Sequence, residues 1–164
     1  MKTIIVAYDL DRLIGANNSL PWAGEMADDM RHFRELTTGS VVIMGRKTYD
    51  SIGKLLPKRQ NVIITRQPIE INGALVAHSL DEAYQLADKN KEIYIIGGGQ
   101  IYEQSMLSID QIIATEINHR FKGDASFPIL SNKWCEISRD FHKADAKNKY
   151  DYSYVTYVKR QSAL

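Results

Sequence analysis

The sequence predicts an α/β fold with a mainly parallel central sheet of about eight strands, flanked by helices and ending in a C-terminal antiparallel hairpin. Short apolar runs rich in β-branched residues alternate with helical patterns along most of the chain. Such nearly continuous apolar runs are typical of parallel strands buried on both faces. Towards the C-terminus two strand-like runs follow each other without a helical pattern between them, which indicates an antiparallel pair. We expect one domain over residues 1–164.

Six apolar runs predict the strands of the parallel part of the sheet. In chain order they are TIIVAY (3–8), SVVIMG (40–45), NVIIT (61–65), ALVAH (74–78), EIYIIG (92–97) and QIIATEI (111–117). The runs at 134–144 and 150–160 predict the hairpin. The second of these runs is rich in tyrosine, and we interpret its tyrosines as a strand face because no basic patch accompanies them.

Helical patterns lie between several of the predicted strands. They cover residues 26–37, 79–90 and 98–107. Ser79 is expected to cap the second helix, with Glu82 as its partner in a capping box. A further helix is expected to begin at Arg46, directly after the second strand.

Composition and charge exclude several classes of function. Apolar residues make up 44% and charged residues 25% of 164 residues, as in a soluble globular protein, and the formal net charge is only +1. We therefore expect neither a nucleic-acid nor a membrane partner. The apolar runs are too short for a signal peptide or a membrane span, and the histidines lack metal-ligand spacing. The single cysteine, Cys135, suits a reducing compartment, so we expect a cytoplasmic protein without a bound metal.

The segment MGRKT (44–48) is a candidate anion site. Ligands of such sheets bind beyond the carboxyl ends of the strands, and here a strand ends in Gly45 before Arg46, Lys47 and Thr48 begin a helix. Free N–H groups at a helix start, together with two cations, suit an anion. The spacing does not match a Walker A motif, and a solvated turn is the alternative interpretation.

Two further loops are expected at the same edge of the sheet. Arg66 follows the third strand, so it could bind a phosphate monoester together with Arg46, which would favour NADPH over NADH. The segment IIGGGQIY (95–102) contains three glycines that let a ligand approach the backbone closely. Tyr102 stands where a Rossmann fingerprint requires glycine, so that motif is absent.

The first helix directs a carboxylate towards its own apolar face. At about 100° per residue, one broad face is shared by a set of mainly apolar residues. They are Met26, Asp29, Met30, Phe33, Leu36 and Thr37. We expect Asp28 to be solvated and stabilised near the helix start. Burying Asp29 without a partner is costly, so it predicts a ligand pocket. The alternatives are a pairing with a buried arginine or a backbone donor, or a helix wheel that is off by one residue.

Four segments together resemble the dihydrofolate reductase family, specifically its bacterial chromosomal type. They are DRLIGANNSLPW (11–22), VIMGRKTYDSIGKLLPKRQNVIIT (42–65), EIYIIGGGQIYEQ (92–104) and GDASFP (123–128). They occur in the family's order and spacing, and the resemblance covers essentially the whole chain. It implies a monomer that reduces 7,8-dihydrofolate to 5,6,7,8-tetrahydrofolate with NADPH, by hydride transfer to C6 and protonation at N5, in support of one-carbon and thymidylate metabolism.

The resemblance also implies antifolate-type inhibitors as ligands, and it leaves two alternatives. One is a related NADPH-dependent reductase acting on another pterin or on a riboflavin precursor. Arg59 discriminates against it, because only a folate-like tail requires a carboxylate clamp. The other is a nucleotide-binding regulatory module without catalysis. An acidic residue on an apolar face argues against this module, since a cofactor sensor requires none.

Roles for individual residues follow from the resemblance by position. Asp29 would bind the pterin and help to protonate N5, Trp22 would hold a water, and Thr115 would hydrogen-bond to Asp29. Leu20, in the mobile loop over the nicotinamide, would close the site by apolar contact. The residues implied for the substrate are Ile5, Phe33, Ile52, Leu56, Arg59 and Ile96. Those implied for the cofactor are Ala7, Ile14, Asn18, Gly45, Arg46, Lys47, Thr48, Thr65, Arg66, Gly97, Gly98, Gly99, Gln100, Ile101 and Tyr102. The family joins the pair matching Gly97 and Gly98 by a cis peptide.

The sequence departs from the family pattern at two places. The segment WAGEMADDM (22–30) is two residues longer than the commonest bacterial spacing between the tryptophan and the acid. Because Asp29 precedes Phe33 by four residues, we identify Asp29 and not Asp28 as the family's acid. Gln100 stands where an arginine is common, which removes one cationic contact to the cofactor that Arg66 could offset.

Overall fold

The computed structural model describes residues 1–16 and 19–161. The described residues form ten strands and four helices. The strands are β1 Lys2–Tyr8, β2 Leu13–Gly15, β3 Val41–Gly45, β4 Gln60–Ile64, β5 Leu75–Ala77, β6 Ile93–Gly97, β7 Gln111–Ile117, β8 Ala125–Ser126, β9 Trp134–His142 and β10 Tyr152–Lys159. The helices are α1 Ala27–Thr37, α2 Arg46–Ile52, α3 Leu80–Leu86 and α4 Gly99–Ser105.

The main sheet confirms the predicted fold class. Its eight strands lie in the order β5-β4-β3-β6-β1-β7-β10-β9 among the described residues. All pairings from β5 to β7 are parallel, whereas β10 runs antiparallel to both β7 and β9. The parallel part follows from the apolar β-branched runs, which are buried on both faces. No helix of the described chain is long and apolar enough to span a membrane.

Each face of the sheet is covered by a different pair of helices. The side chains of β1 alternate, so that Ile4, Val6 and Tyr8 enter the core that includes residues of α3 and α4. Ile5 and Ala7 point to the opposite face. There the start of α1 packs beside β7 and β10, and α2 packs over β3 and β4.

Two predicted helices are shorter in the structure. Helix α3 ends at Leu86 because the next residue turns extended, and α4 ends at Ser105. Ser79 caps α3 as predicted, since its hydroxyl accepts a hydrogen bond from the Glu82 N–H at 3.0 Å. The return bond differs from the expected box, because the Glu82 carboxylate accepts from the N–H of His78.

A second sheet escapes the sequence prediction. Strands β2 and β8 are only three and two residues long and pair antiparallel. The Asp124 N–H donates to the Gly15 carbonyl at 3.0 Å, and a Cβ on Gly123 would overlap that same carbonyl oxygen. This close approach explains why the segment 123–128 begins with glycine.

Asp9 joins the loop after β1 to the loop before β8. Its carboxylate is 2% exposed and accepts three backbone N–H groups, from Asp11, Leu13 and Phe121, each at 2.8 Å. Buried carboxylates need such partners. Asp9 therefore fixes the position of the segment that leads towards Trp22.

We expect Asp9→Asn to lower the free energy of unfolding by about 2 kcal/mol, because the new amide N–H₂ would oppose the Phe121 N–H. Urea unfolding at neutral pH measures the loss. Asp11→Asn is the control, since Asp11 makes an exposed 3.4 Å ion pair with Arg120 whose loss should cost at most about 0.5 kcal/mol. Equal stabilities of the two variants would contradict the role given to Asp9.

Candidate active site

Asp29 is a buried carboxyl in the first turn of α1. Its side chain is 8% exposed and hydrogen-bonds to the Thr115 hydroxyl on β7. Burial raises the pKa of Asp29 to about 6, and the Thr115 hydrogen bond opposes that shift. Thr115 lies directly opposite Ala7 on one side and Tyr154 on the other. The arrangement therefore holds a carboxyl that exchanges its proton close to neutral pH.

The inward face of α1 is narrower than predicted. Met30, which was expected on this face, is 53% exposed. Asp29 and Thr37 are buried, and Phe33 between them is half-buried. These three residues form a single row of four-residue spacing, and Met30 lies beyond its edge.

The expectation that Asp28 is solvated is wrong. Its Oδ2 accepts hydrogen bonds from Asn148 Nδ2 and from the Tyr152 hydroxyl, both at 3.0 Å. Its Oδ1 lies 3.3 Å from Arg31 Nη2. The hairpin packs against this side of α1, so the carboxylate contacts residues more than 100 positions away in the chain. The helix period alone carries no information about such a partner.

Trp22 lies in the loop that leads into α1. It is buried in a cluster with Met26 and Ala7 and contacts the Phe121 ring. Its indole N–H is buried and has no hydrogen-bond partner among the described residues. A buried donor of this kind indicates a water or a ligand. Leu20, in contrast, is exposed in the loop before Trp22.

The residues implied for the substrate follow the row on α1. Ile5 and Ile96 belong to neighbouring strands and face the same side of the sheet as Thr115, whereas Ile52 lies exposed at the end of α2. The half-buried Leu56 packs in a cluster with Ile96. Ile5, Ile96 and Leu56 are thus apolar residues on the face of the sheet that carries Thr115, the partner of Asp29.

Arg59 lies beside Thr37, the last residue of the row on α1. Its Nη1 donates to Thr37 Oγ1 at 3.0 Å and its Nε donates to the Pro57 carbonyl at 2.9 Å. Partial burial and the nearby Arg34 cation lower the pKa of Arg59. The guanidinium is thus held in place beside a second positive charge, which suits an anion.

The loops that follow β3 and β4 contain the basic residues of the cofactor set. Gly45 is the N-cap of α2, and Arg46 Nε donates to Asp50 Oδ1 at 3.0 Å. Arg46 Nη1 is buried without a hydrogen-bond partner in the described chain. Lys47 and Arg66 are exposed. The cofactor set also contains two threonines. Thr48 is half-buried, and Thr65 is buried and accepts a hydrogen bond from the Gln67 N–H.

The glycine segment after β6 meets the loop after β3. Gly97 and Gly98 are joined by a cis peptide bond, as the resemblance implies. A Cβ on Gly98 would lie 3.3 Å from Thr48 Oγ1, and one on Gly97 would lie 3.3 Å from the Tyr102 ring. Gly97 also has a φ of 122°, which disfavours any other residue. The two loops therefore approach each other closely at this edge.

The remaining residues of the cofactor set fall into two groups, those with exposed or half-buried side chains and those with side chains in the core. Gln100 is exposed, and the half-buried Ile14 lies beside Gly99, while the side chains of Ile101 and Tyr102 belong to the core. The Tyr102 hydroxyl donates to the Ile5 carbonyl at 2.9 Å, and its pKa is raised by burial and by Asp29. Ile101 and Tyr102 therefore support the site through core packing. Asn18 lies outside the described residues.

The hairpin contributes residues that the sequence analysis missed. The Tyr154 hydroxyl donates to the Asp28 carbonyl at 3.2 Å, and Asn148 accepts the Asp28 N–H at 2.9 Å. One signal was present in the sequence. Met26 precedes the helix at a position that usually holds a serine, threonine, aspartate or asparagine side chain, so a cap had to come from elsewhere.

Comparisons with known proteins agree with this geometry. The sequence model described as dihydrofolate reductase matches residues 1–159. A dihydrofolate reductase of Bacillus subtilis (strain 168) is 38% identical over 99% of this chain and 97% of its own length. A dihydrofolate reductase type 3 of Salmonella typhimurium is 42% identical over 94% and 95% of the two chains.

A solved structure is similar over nearly the whole chain. It is the dihydrofolate reductase from Enterococcus faecalis complexed with NADP(H) and RAB-propyl. The two chains superpose with a TM-score of 0.91 at 30% identity, over 98% of this chain and 97% of that one. With a family model along almost the entire sequence and relatives above 35% identity, the chain belongs to the dihydrofolate reductase family.

Proposed function

We propose that this protein reduces 7,8-dihydrofolate to 5,6,7,8-tetrahydrofolate with NADPH, and that Asp29 binds the pterin and organises its protonation. The observation that carries the proposal is a buried carboxyl whose protein partner is a single neutral hydroxyl, Thr115, among the hydrogen bonds of the described chain. Such burial costs stability. A ligand that presents a planar pair of N–H donors would compensate the carboxylate.

The row on α1 supports a folate as the substrate. Asp29, Phe33 and Thr37 follow each other at four-residue spacing, and Arg59 donates to Thr37. At a rise of about 1.5 Å per residue, Asp29 and Thr37 lie about 12 Å apart along the helix, and the Arg59 cation contacts Thr37. A ligand with N–H donors, an aromatic middle and a terminal carboxylate matches this order. A pterin or riboflavin precursor without an anionic tail leaves Arg59 unexplained.

The residues beyond β3, β4 and β6 fit a phosphorylated dinucleotide. Arg46 Nη1, which is buried without a hydrogen-bond partner in the described chain, would provide a donor for it, and the close approach of Gly98 to Thr48 brings two of these loops together. NADPH, when bound, supplies the hydride that reduces the substrate. The residues that would hold it are Ala7, Ile14, Gly45, Arg46, Lys47, Thr48, Thr65, Arg66, Gly97, Gly98, Gly99 and Gln100. The exposed Arg66 would contact its 2′-phosphate.

The chain's own residues would orient the substrate, exclude water and control one proton. Because the pKa of Asp29 is about 6, most Asp29 carboxyls are ionised at neutral pH and can accept two hydrogen bonds. The buried indole N–H of Trp22 would orient a water that serves as the proton source, and Leu20 would exclude bulk solvent. We further propose that the enzyme is a cytoplasmic monomer.

We expect Asp29→Asn to lower kcat/KM at pH 7 by about 10²-fold or more, because the amide can neither carry the charge nor take up the proton. Activity should recover in part at low pH, where the substrate is already protonated. The measurement is NADPH oxidation with dihydrofolate as the second substrate.

Asp28→Asn is the matched control, and it should stay within about fivefold of the wild type, because its amide oxygen can still accept from Asn148 and Tyr152. The opposite result, with Asp28→Asn inactive and Asp29→Asn active, would show that Asp28 is the acid. No turnover of the wild type with either NADPH or NADH would refute the proposed reaction.

The substitution Asp29→Asn should also stabilise the fold. The pKa of Asp29 is about 6 in the folded state against an ordinary 3.8, so the unfolded chain loses this proton first as the pH rises. The free energy of unfolding therefore falls between these two values. We expect Asp29→Asn to exceed the wild type by up to about 3 kcal/mol at pH 7, and the difference to vanish below about pH 4. Urea unfolding across this range tests both statements; a difference that does not depend on pH contradicts them.

We expect Arg66→Ala to raise the KM for NADPH by about tenfold or more while the KM for NADH changes less than about twofold, because only NADPH offers the 2′-phosphate. Steady-state kinetics with both cofactors measure the difference. Arg120→Ala, which removes another exposed guanidinium, controls for the change in net charge. A similar rise for both cofactors would place Arg66 away from the 2′-phosphate.

A further inference from the structure

Helix α1 is capped by a residue from the other end of the chain. Its own N-cap residue, Met26, makes no side-chain capping bond within the described chain. Asn148 takes that role, since its Oδ1 accepts the Asp28 N–H at 2.9 Å and its Nδ2 donates to Asp28 Oδ2 at 3.0 Å. Asn148 is 1% exposed. The first turn of the helix is thus fixed by a buried side chain from the loop between β9 and β10.

Backbone contacts strengthen this attachment. Met26 and Asn148 form an isolated antiparallel bridge. The Ala27 N–H donates to the Lys147 carbonyl at 3.2 Å, and the Lys149 N–H donates to the Glu25 carbonyl at 2.9 Å. The segment directly before it, Ala23 and Gly24, is exposed. The position of the helix start therefore depends on the hairpin loop.

The loop holds Asn148 in one orientation before it meets the helix. Asp145 Oδ1 accepts the N–H groups of Lys147 and Asn148, each at 2.8 Å, and also Asn148 Nδ2 at 3.0 Å. The Asp145 N–H donates to the Asn148 carbonyl at 2.8 Å. Every polar atom of the Asn148 side chain thus has a partner, which is the condition for a rigid supporting residue.

We propose that Asn148 is a positioning residue for Asp29: it fixes the first turn of α1 and thereby the depth at which the Asp29 carboxyl lies beside Thr115. The inference rests on the proposed function of Asp29. Asp28, which Asn148 binds through both backbone and side chain, is the neighbour of Asp29 in the chain. First turns of helices open easily when their N–H groups lack partners. An opened turn would hydrate the Asp29 carboxyl and displace it from the substrate.

The test compares Asn148→Ala with Lys149→Ala. Lys149 lies in the same loop, but its side chain contacts Glu25, in an exposed 3.2 Å ion pair, and Tyr150, through the ring and a hydrogen bond. The pKa of Asp29 is measured by carboxyl ¹³C NMR titration of the full chain, which does not require turnover. Steady-state kinetics and urea unfolding are measured in parallel.

We expect the pKa of Asp29 to fall towards its ordinary value by at least about half a unit in Asn148→Ala and to stay at the wild-type value in Lys149→Ala. The pH profile of kcat should shift in the same direction. We expect kcat to drop about tenfold while the KM for NADPH changes little, because the cofactor residues lie on other loops.

A further variant keeps the proposal testable if Asn148→Ala unfolds. Tyr152→Phe removes only the hydroxyl that donates to Asp28 Oδ2, and it should shift the pKa of Asp29 in the same direction by less.

An Asp29 pKa that stays unchanged or rises in a folded Asn148→Ala or Tyr152→Phe would overturn the positioning role, whatever the activity. Absence of dihydrofolate reduction by the wild type would refute the proposed reaction alone, since the NMR titration would still report whether Asn148 controls the environment of Asp29.

Discussion

The burial of one carboxyl, that of Asp29, is the constraint on which the rest of the site depends. Taking it out of water raises its pKa and works against folding, so the surroundings must hold it there. Thr115 on β7 supplies the hydrogen bond, and the hairpin fixes the helix from which the acid projects. Each of these contacts joins segments that are far apart in the sequence, so the environment of the carboxyl exists only in the complete fold.

The strand order explains how two sets of ligand-binding residues meet. The loops with the basic and glycine residues follow β4, β3 and β6, which are consecutive in the sheet. Of the residues proposed for the substrate, Ile96 lies in β6 and Ile5 in β1, and Thr115, the partner of Asp29, lies in β7; these three strands continue the same order. Strand β6 belongs to both sets, because Ile96 lies in the strand and Gly97 ends it. A hydride donor held at one set and an acceptor held at the other would therefore meet beside β6.

Local sequence patterns predicted the main sheet and the buried acid Asp29. Features that depend on contacts between residues far apart in the chain could not be predicted in this way. The apolar runs identify the strands because a strand buried on both faces needs them, and the helix period brings Asp29 inwards. Strands β2 and β8 were missed because two or three residues carry no periodicity. Asp28 was misjudged because Asn148 and Tyr152, its partners, lie more than 100 residues away.

The neighbouring acids Asp28 and Asp29 have opposite physical roles, although they are chemically identical. Asp28 has donors from Asn148 and Tyr152 and an arginine within 3.3 Å, so its charge is compensated inside the protein. Among the described residues Asp29 has one neutral partner, Thr115, so a bound ligand would have to compensate its charge. The roles of Asp28 and Asp29 are coupled. A helix turn that holds an uncompensated carboxyl in place needs a fixed contact with the rest of the protein, and Asp28, the neighbour of Asp29, provides that contact. The hydrogen bonds and the ion pair of Asp28 therefore hold the helix turn in place although the Asp29 carboxyl beside it has only one neutral partner among the described residues.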